Sequence, residues 1–107
     1  MINVLKLDTI VLKLGMNDMN QIVLEALFGK TRRSILGLLF RQPDEAFFVR
    51  KIIRLAKVSP GAAHRELKRL SEAGIIVRSR QDNHVFFQAN PACPAYIELR
   101  SLFISSP

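Results

Sequence analysis

VRKIIRLAKVSPGAAHRELKRLSEAGIIVRSRQDNHVFFQA, residues 49–89, decides the fold. Ile52 and Leu55 give an apolar side to a short helix over Arg50–Ala56, and Val58 tucks inward at the turn that follows. Ser59 is placed to cap the next helix, with Pro60 at its first position, where a missing amide hydrogen costs nothing. Ala63, Leu67 and Leu70 form the inward stripe of that helix, and Gly74 stands where a C-terminal cap is expected. Ile75, Ile76 and Val77 then begin a strand, Gln81-Asp82-Asn83 turns, and Val85, Phe86 and Phe87 return. Val77, with Phe86 or Phe87 across from it, is expected to face the core. A helix braced by a second helix, with a hairpin beside it, is an arrangement able to enter the major groove of DNA.

Upstream, Asp18 can cap a helix with apolar positions Ile22, Val23, Ala26 and Leu27, which Gly29 ends. A second helix from about Lys30 to Gln42 carries a wide apolar face of Ile35, Leu36, Leu38, Leu39 and Phe40, and Pro43-Asp44 stops it. Asp44-Glu45 reads as a solvated loop pair. Phe47, Phe48 and Val49 form a short strand or extended lead-in. Downstream, Asn90-Pro91 breaks the last strand, and a helix from about Pro94 to Phe103 buries Tyr96 or Ile97, Leu99, Leu102 and Phe103. The order is α-α-β-α-α-β-β-α, a mainly helical α+β chain with too little strand for a large sheet.

Residues 1–17 form an N-terminal arm, separate from the domain at 18–107. Val4-Leu5-Lys6-Leu7 recurs as Val11-Leu12-Lys13-Leu14. Val4, Leu7, Val11 and Leu14 make a heptad-like stripe, yet Leu5, Leu7, Ile10, Leu12 and Leu14 fit a hairpin turning at Asp8-Thr9 equally well. Met16 and Met19 are alternative first residues, in which case the arm falls outside the protein.

Charge narrows the function. The 107 residues carry a formal net charge of +7. Residues 50–80 alone hold nine basic residues against Glu66 and Glu72, a net of +7 within that window. Basic residues concentrated on a helical pair point to a polyanion partner. The longest apolar run, Ile35–Phe40, is too short to span a membrane, and Asp8 and Lys13 interrupt any secretory signal, so a cytoplasmic location is expected. A single cysteine, Cys93, allows neither an internal disulfide nor a cysteine-rich zinc site. Gly61 and Gly74 lie singly at helix ends, so no phosphate loop is present, and His64 and His84 have places on a basic face that make a Cys93–His pair a poor nucleophile. No catalytic residue, metal site or cofactor is expected, and the chain does not read as an enzyme.

With 63, 67 and 70 inward, the helix from 60 turns Pro60, Gly61, His64, Arg65 and Lys68 outward. His64 and Arg65 are the candidate base readers, because an arginine fork matches guanine O6 and N7; Ser59, Lys68 and Arg69 join them as DNA contacts. In the plainer reading His64 is a surface histidine, while Glu66 pairs with Arg69 and Lys68 with Glu72 as helix decoration. The hairpin adds Arg78, Arg80, Asn83 and His84 near its tip. Lys30, Arg32, Arg33, Arg50 and Lys51 are candidate phosphate contacts or plain exposed helix starts.

Leu27-Phe28-Gly29, Thr31-Arg32, Ile35-Leu36, Ser59-Pro60-Gly61-Ala62, Arg65-Glu66-Leu67, Leu70, Ala73-Gly74-Ile75 and Asn90-Pro91, taken in that order, resemble ArsR-like winged helix-turn-helix regulators. The similarity is closest to the subgroup often joined to a nucleotidyltransferase domain, and it covers about residues 27–103. The resemblance implies a winged helix-turn-helix with a small β-hairpin wing at 75–89 and a recognition helix at 60–73. It implies a homodimeric, sequence-specific regulator of double-stranded DNA, acting as a repressor, with dimer contacts from terminal helices near 19–28 and 94–104 through Leu27, Tyr96, Leu99, Leu102 and Phe103. The alternatives are a protein-interaction winged helix, or a regulatory or antitoxin subunit of a separately encoded nucleotidyltransferase. This sequence departs from the pattern in three ways. It lacks the cysteine pairs of metal sensors, it lacks the paired aspartates of a nucleotidyltransferase, and Lys57 stands at a turn where relatives usually have Gly.

Overall fold

A computed structural model describes residues 22–104 as a mixed α+β unit. Residues 22–27 are helical (α1). There follow α2 (Lys30–Arg41), β1 (Phe47–Phe48), α3 (Val49–Ala56), α4 (Pro60–Glu72), β2 (Ile76–Gln81), β3 (His84–Ala89) and α5 (Tyr96–Phe103). The order is the one the sequence predicts. The arm at 1–17 and the Asp18 cap lie outside the described residues. Among the described residues no helix is long and apolar enough to cross a membrane.

α2 is the central element. Ile35, Leu36, Leu39 and Phe40 are completely or almost completely buried, and α3, α4 and α5 all pack on it. The core closes with Phe47, Ile52, Ala63, Leu67, Leu70, Ile76, Phe87, Ala89, Leu99 and Phe103. Phe40 lies 5.9 Å from Tyr96 and 6.5 Å from Phe103, ring centre to ring centre. Two arginines fasten α2 to α5 crosswise. Arg41 Nε donates to the Phe103 carbonyl at 3.1 Å, and Arg100 Nη1 donates to the Phe40 carbonyl at 2.6 Å. Each satisfies a carbonyl that the other helix leaves open at its C-terminus.

The sheet is antiparallel with strand order β1-β3-β2. Phe47 pairs with Phe87 and Phe48 with Phe86, so the short aromatic stretch is a true third strand. Val49 already belongs to α3. Asp82 and Asn83 sit at φ 50° and 68° between the paired Gln81 and His84. Positive φ at both central residues is the mirror-type two-residue turn that suits strand twist.

Four sequence expectations change. In α1 the buried residue is Leu24, and Leu27 stays exposed. In α3 the apolar stripe is Val49, Ile52, Ile53 and Ala56, spaced i, i+3, i+4 and i+7, which rotates Leu55 into solvent. Val77 is also exposed, because Ile76 and Phe87 take the core side of the hairpin and Val77 lies opposite Gln88. Tyr96, not Ile97, packs inward at the start of α5, which begins two residues later than expected because Pro94 remains in the turn.

Lys57 ends α3 in the left-handed region, at φ 56° and ψ 51°, with its amide donating to the Ile53 carbonyl. A side chain there is strained and glycine is not. Lys57→Gly is therefore expected to stabilise the chain by about 1 kcal/mol and to raise the thermal midpoint by roughly 4–8 °C. An unchanged midpoint in a melting experiment would show that this turn stores no strain.

Candidate nucleic-acid interface

α4 is held rigidly at both ends. Ser59 Oγ accepts from the Ala62 amide at 3.3 Å, and Pro60 occupies the first turn. At the other end Gly74 takes φ 77°, its amide donates to Ser71 at 3.1 Å, and the Ile75 amide donates to Leu70 at 3.0 Å. This is the paired closure that a left-handed glycine gives a helix C-terminus, and it launches β2 directly from the end of α4. Asn90 locks the junction from β3, donating through Nδ2 to the Gly74 carbonyl at 2.8 Å.

With Ala63, Leu67 and Leu70 buried, the rest of α4 divides into three stripes. Pro60, His64, Lys68 and Ser71 look toward the hairpin. Gly61, Arg65 and, at the C-terminal end, Glu72 point directly away from the core and are exposed. A methyl group built on Gly61 would meet Arg65 Nη1 at 3.6 Å, so the Arg65 guanidinium lies back toward the slim N-terminal end of the helix. Ala62, Glu66 and Arg69 form the flank on the α2 side.

Glu66 does not pair with Arg69. Arg32 of α2 grips it instead, Nε to Oε1 at 2.6 Å and Nη2 to Oε2 at 3.5 Å. The hydrogen bond to Glu66 raises the Arg32 pKa above its ordinary value. The consequence is electrostatic: the one acid in the middle of α4 is already neutralised, and Arg65, Lys68 and Arg69 face solvent exposed and outside any ion pair in the described residues.

Three of the candidate phosphate contacts stand in ion pairs. Arg32 holds Glu66, Arg33 lies 3.6 Å from Glu25, and Lys51 bonds Glu45 at 3.0 Å with its ammonium 5.3 Å from the Phe47 ring centre. Glu45 is accordingly a partnered side chain, not merely a solvated one. Lys30 and Arg50 remain exposed. Leu99 and Phe103, expected at a dimer contact, are buried in this chain's own core; Tyr96 and Leu102 are half-buried. Leu27 and Ile97 are 63% and 75% exposed.

Arg78, Arg80, Asn83 and His84 are all exposed on the hairpin. Arg78 pairs across the ladder with Phe87 and Arg80 with Val85, and cross-strand partners share a face, so both arginines rise from the side of the hairpin that looks toward the helices. A cleft with two lobes separates the hairpin from α4. One lobe is bounded by Phe48, Val49, Arg50, Ile53, Pro60, His64, Asn83, His84 and Val85. The other is bounded by Val49, His64, Leu67, Lys68, Ser71, Glu72, Arg78, Val85 and Phe87. Sequence reasoning finds the basic residues of this cleft but not its apolar floor, because that floor is assembled from β1, α3 and β3.

The Arg32–Glu66 pair joins two helices through half-buried side chains. Arg32→Ala is expected to cost about 1–2 kcal/mol, between an exposed ion pair and a buried charge left alone. The double change Arg32→Ala with Glu66→Ala should lose less than the two single losses together in urea melts. Strict additivity would mean that the pair contributes nothing to holding α4 on α2.

Compared with known protein families, with curated proteins and with solved structures, the chain finds no match.

Proposed function

We propose that this chain is a winged-helix protein that binds double-stranded DNA, with α4 in the major groove and the β2–β3 hairpin as a wing beside it. The observation that carries the reading is the crown of α4: Pro60, Gly61, His64, Arg65 and Lys68 are exposed, and the neighbouring carboxylate, Glu66, is held by Arg32. Arg78 and Arg80 extend the positive surface from the hairpin. Base edges would be read by His64 and Arg65, while Lys68, Arg69 and the hairpin arginines hold phosphates.

The regulator acts in the cytoplasm as a homodimer and represses transcription. Exposed Leu27 and Ile97 on the terminal helices support the assembly. Two α4 helices one helical turn apart, ~34 Å, call for an inverted-repeat operator. The test is selection of bound duplexes from a random DNA pool, followed by binding at several salt concentrations. An inverted repeat should emerge, and log K should fall by ~0.9 per phosphate contact for each unit of log salt. Recovery of unselected sequence, or affinity indifferent to salt, would reject the reading.

The same exposed Leu27 and Ile97 favour a second reading, a protein-interaction module or a regulatory subunit of a separately encoded nucleotidyltransferase. Under that reading Leu27→Asp abolishes partner binding, and the wild-type chain fails to shift mixed duplex DNA at low salt.

A further inference from the structure

The lobe of the cleft between α3, α4 and the hairpin tip is a groove of about 570 Å³ that lies open to solvent on one side. Its make-up is two-sided. Val49, Ile53 and Val85 give an apolar floor, while Arg50 from α3, His64 from α4 and His84 from β3 stand around it. No carboxylate lines it. A free phosphate has nothing apolar to lay on the floor, and a neutral apolar molecule leaves Arg50 without a counter-charge. A molecule with one apolar body and one carboxylate satisfies both, since an arginine fork can hold a carboxylate by two parallel hydrogen bonds.

We infer that this lobe binds a small amphipathic carboxylate, and that its occupancy excludes DNA. The binding half stands on the lobe alone. The exclusion half rests on the proposed DNA reading, because His64 belongs to both the lobe and the crown of α4. By linkage, a ligand and a duplex competing for one surface weaken each other equally.

The test uses the full chain and octanoate, followed by amide chemical shifts. Saturable shifts at Val49, Ile53, His64 and Val85 are expected, with a dissociation constant on the order of 1 mM for so small a ligand. Octanamide, neutral and of the same shape, should bind several-fold more weakly. Arg50→Ala should weaken octanoate and leave octanamide unchanged; the residue is exposed, so the fold is kept. Equal binding of octanoate and octanamide, shifts centred elsewhere, or no saturation would overturn the site. Adding octanoate at constant ionic strength should then release a bound selected duplex, where acetate does not. Octanoate bound without release overturns the exclusion while the DNA reading stands. A chain that binds octanoate but no duplex overturns the DNA reading and the exclusion, and leaves the carboxylate site.

Discussion

Arg65→Ala should weaken binding of the selected duplex by roughly 10- to 100-fold, the equivalent of about 1–3 kcal/mol of lost base discrimination. Binding to random duplex should fall only a few-fold, as one positive charge is lost. The asymmetry follows from where Arg65 stands. It lies opposite the buried stripe of α4, pairs with no carboxylate among the described residues, and extends over Gly61 at the narrow end of the helix. Nothing in the fold leans on it, so the variant should melt like the parent. Arg65→Lys should not restore specificity, because a lysine cannot make the planar, two-pronged contact. Paired titrations on selected and scrambled duplexes decide the point: losses of equal size would reduce Arg65 to a phosphate contact.

The largest stability effect is expected at Phe40. Its side chain is wholly buried in α2, beneath Tyr96 and Phe103 of α5. Phe40→Ala removes a ring from a site fixed on both sides by the Arg41 and Arg100 cross-links, which limits collapse around the cavity. A cost of about 3–5 kcal/mol is expected. Against a total stability of about 5–15 kcal/mol for a small domain, this brings the chain close to unfolding. Urea denaturation should show the midpoint collapse, with Phe40→Leu retaining most of the stability. A loss below about 1 kcal/mol would mean that α5 does not seal the core.

What the sequence disclosed and what it withheld separate along a physical line. Ser59-Pro60 and Gly74 act within a few residues, and each reads correctly from local chemistry alone; the hairpin turn is legible too, though the expected Gln81-Asp82-Asn83 narrows to Asp82-Asn83 because Gln81 pairs with His84 in the ladder. The stripe at Ala63, Leu67 and Leu70 is legible for the same reason, which fixes Arg65 and Lys68 as outward-facing. Distant partners are another matter. Glu66 has Arg69 one turn away, yet it bonds Arg32, 34 residues earlier, because helix packing brings that guanidinium nearer the core. Lys51 is likewise drawn to Glu45. Arg33 is paired with Glu25 in the same way. Val77 differs for a subtler reason: it sits beside Ile76, and in a strand a shift of one residue exchanges inside for outside, whereas Leu55 is displaced because Val49, Ile52, Ile53 and Ala56 complete the apolar stripe of α3.

The strand order β1-β3-β2 leaves β2 with one neighbour among the described residues, and β2 has six residues where β1 has two. Such an open edge invites a second copy to add itself and begin aggregation. Were two β2 strands to align head to tail about Ser79, Arg78 of each would fall opposite Arg80 of the other, and like charges facing across a ladder repel. The two arginines thereby oppose the pairing of β2 edges at the chain's most vulnerable margin.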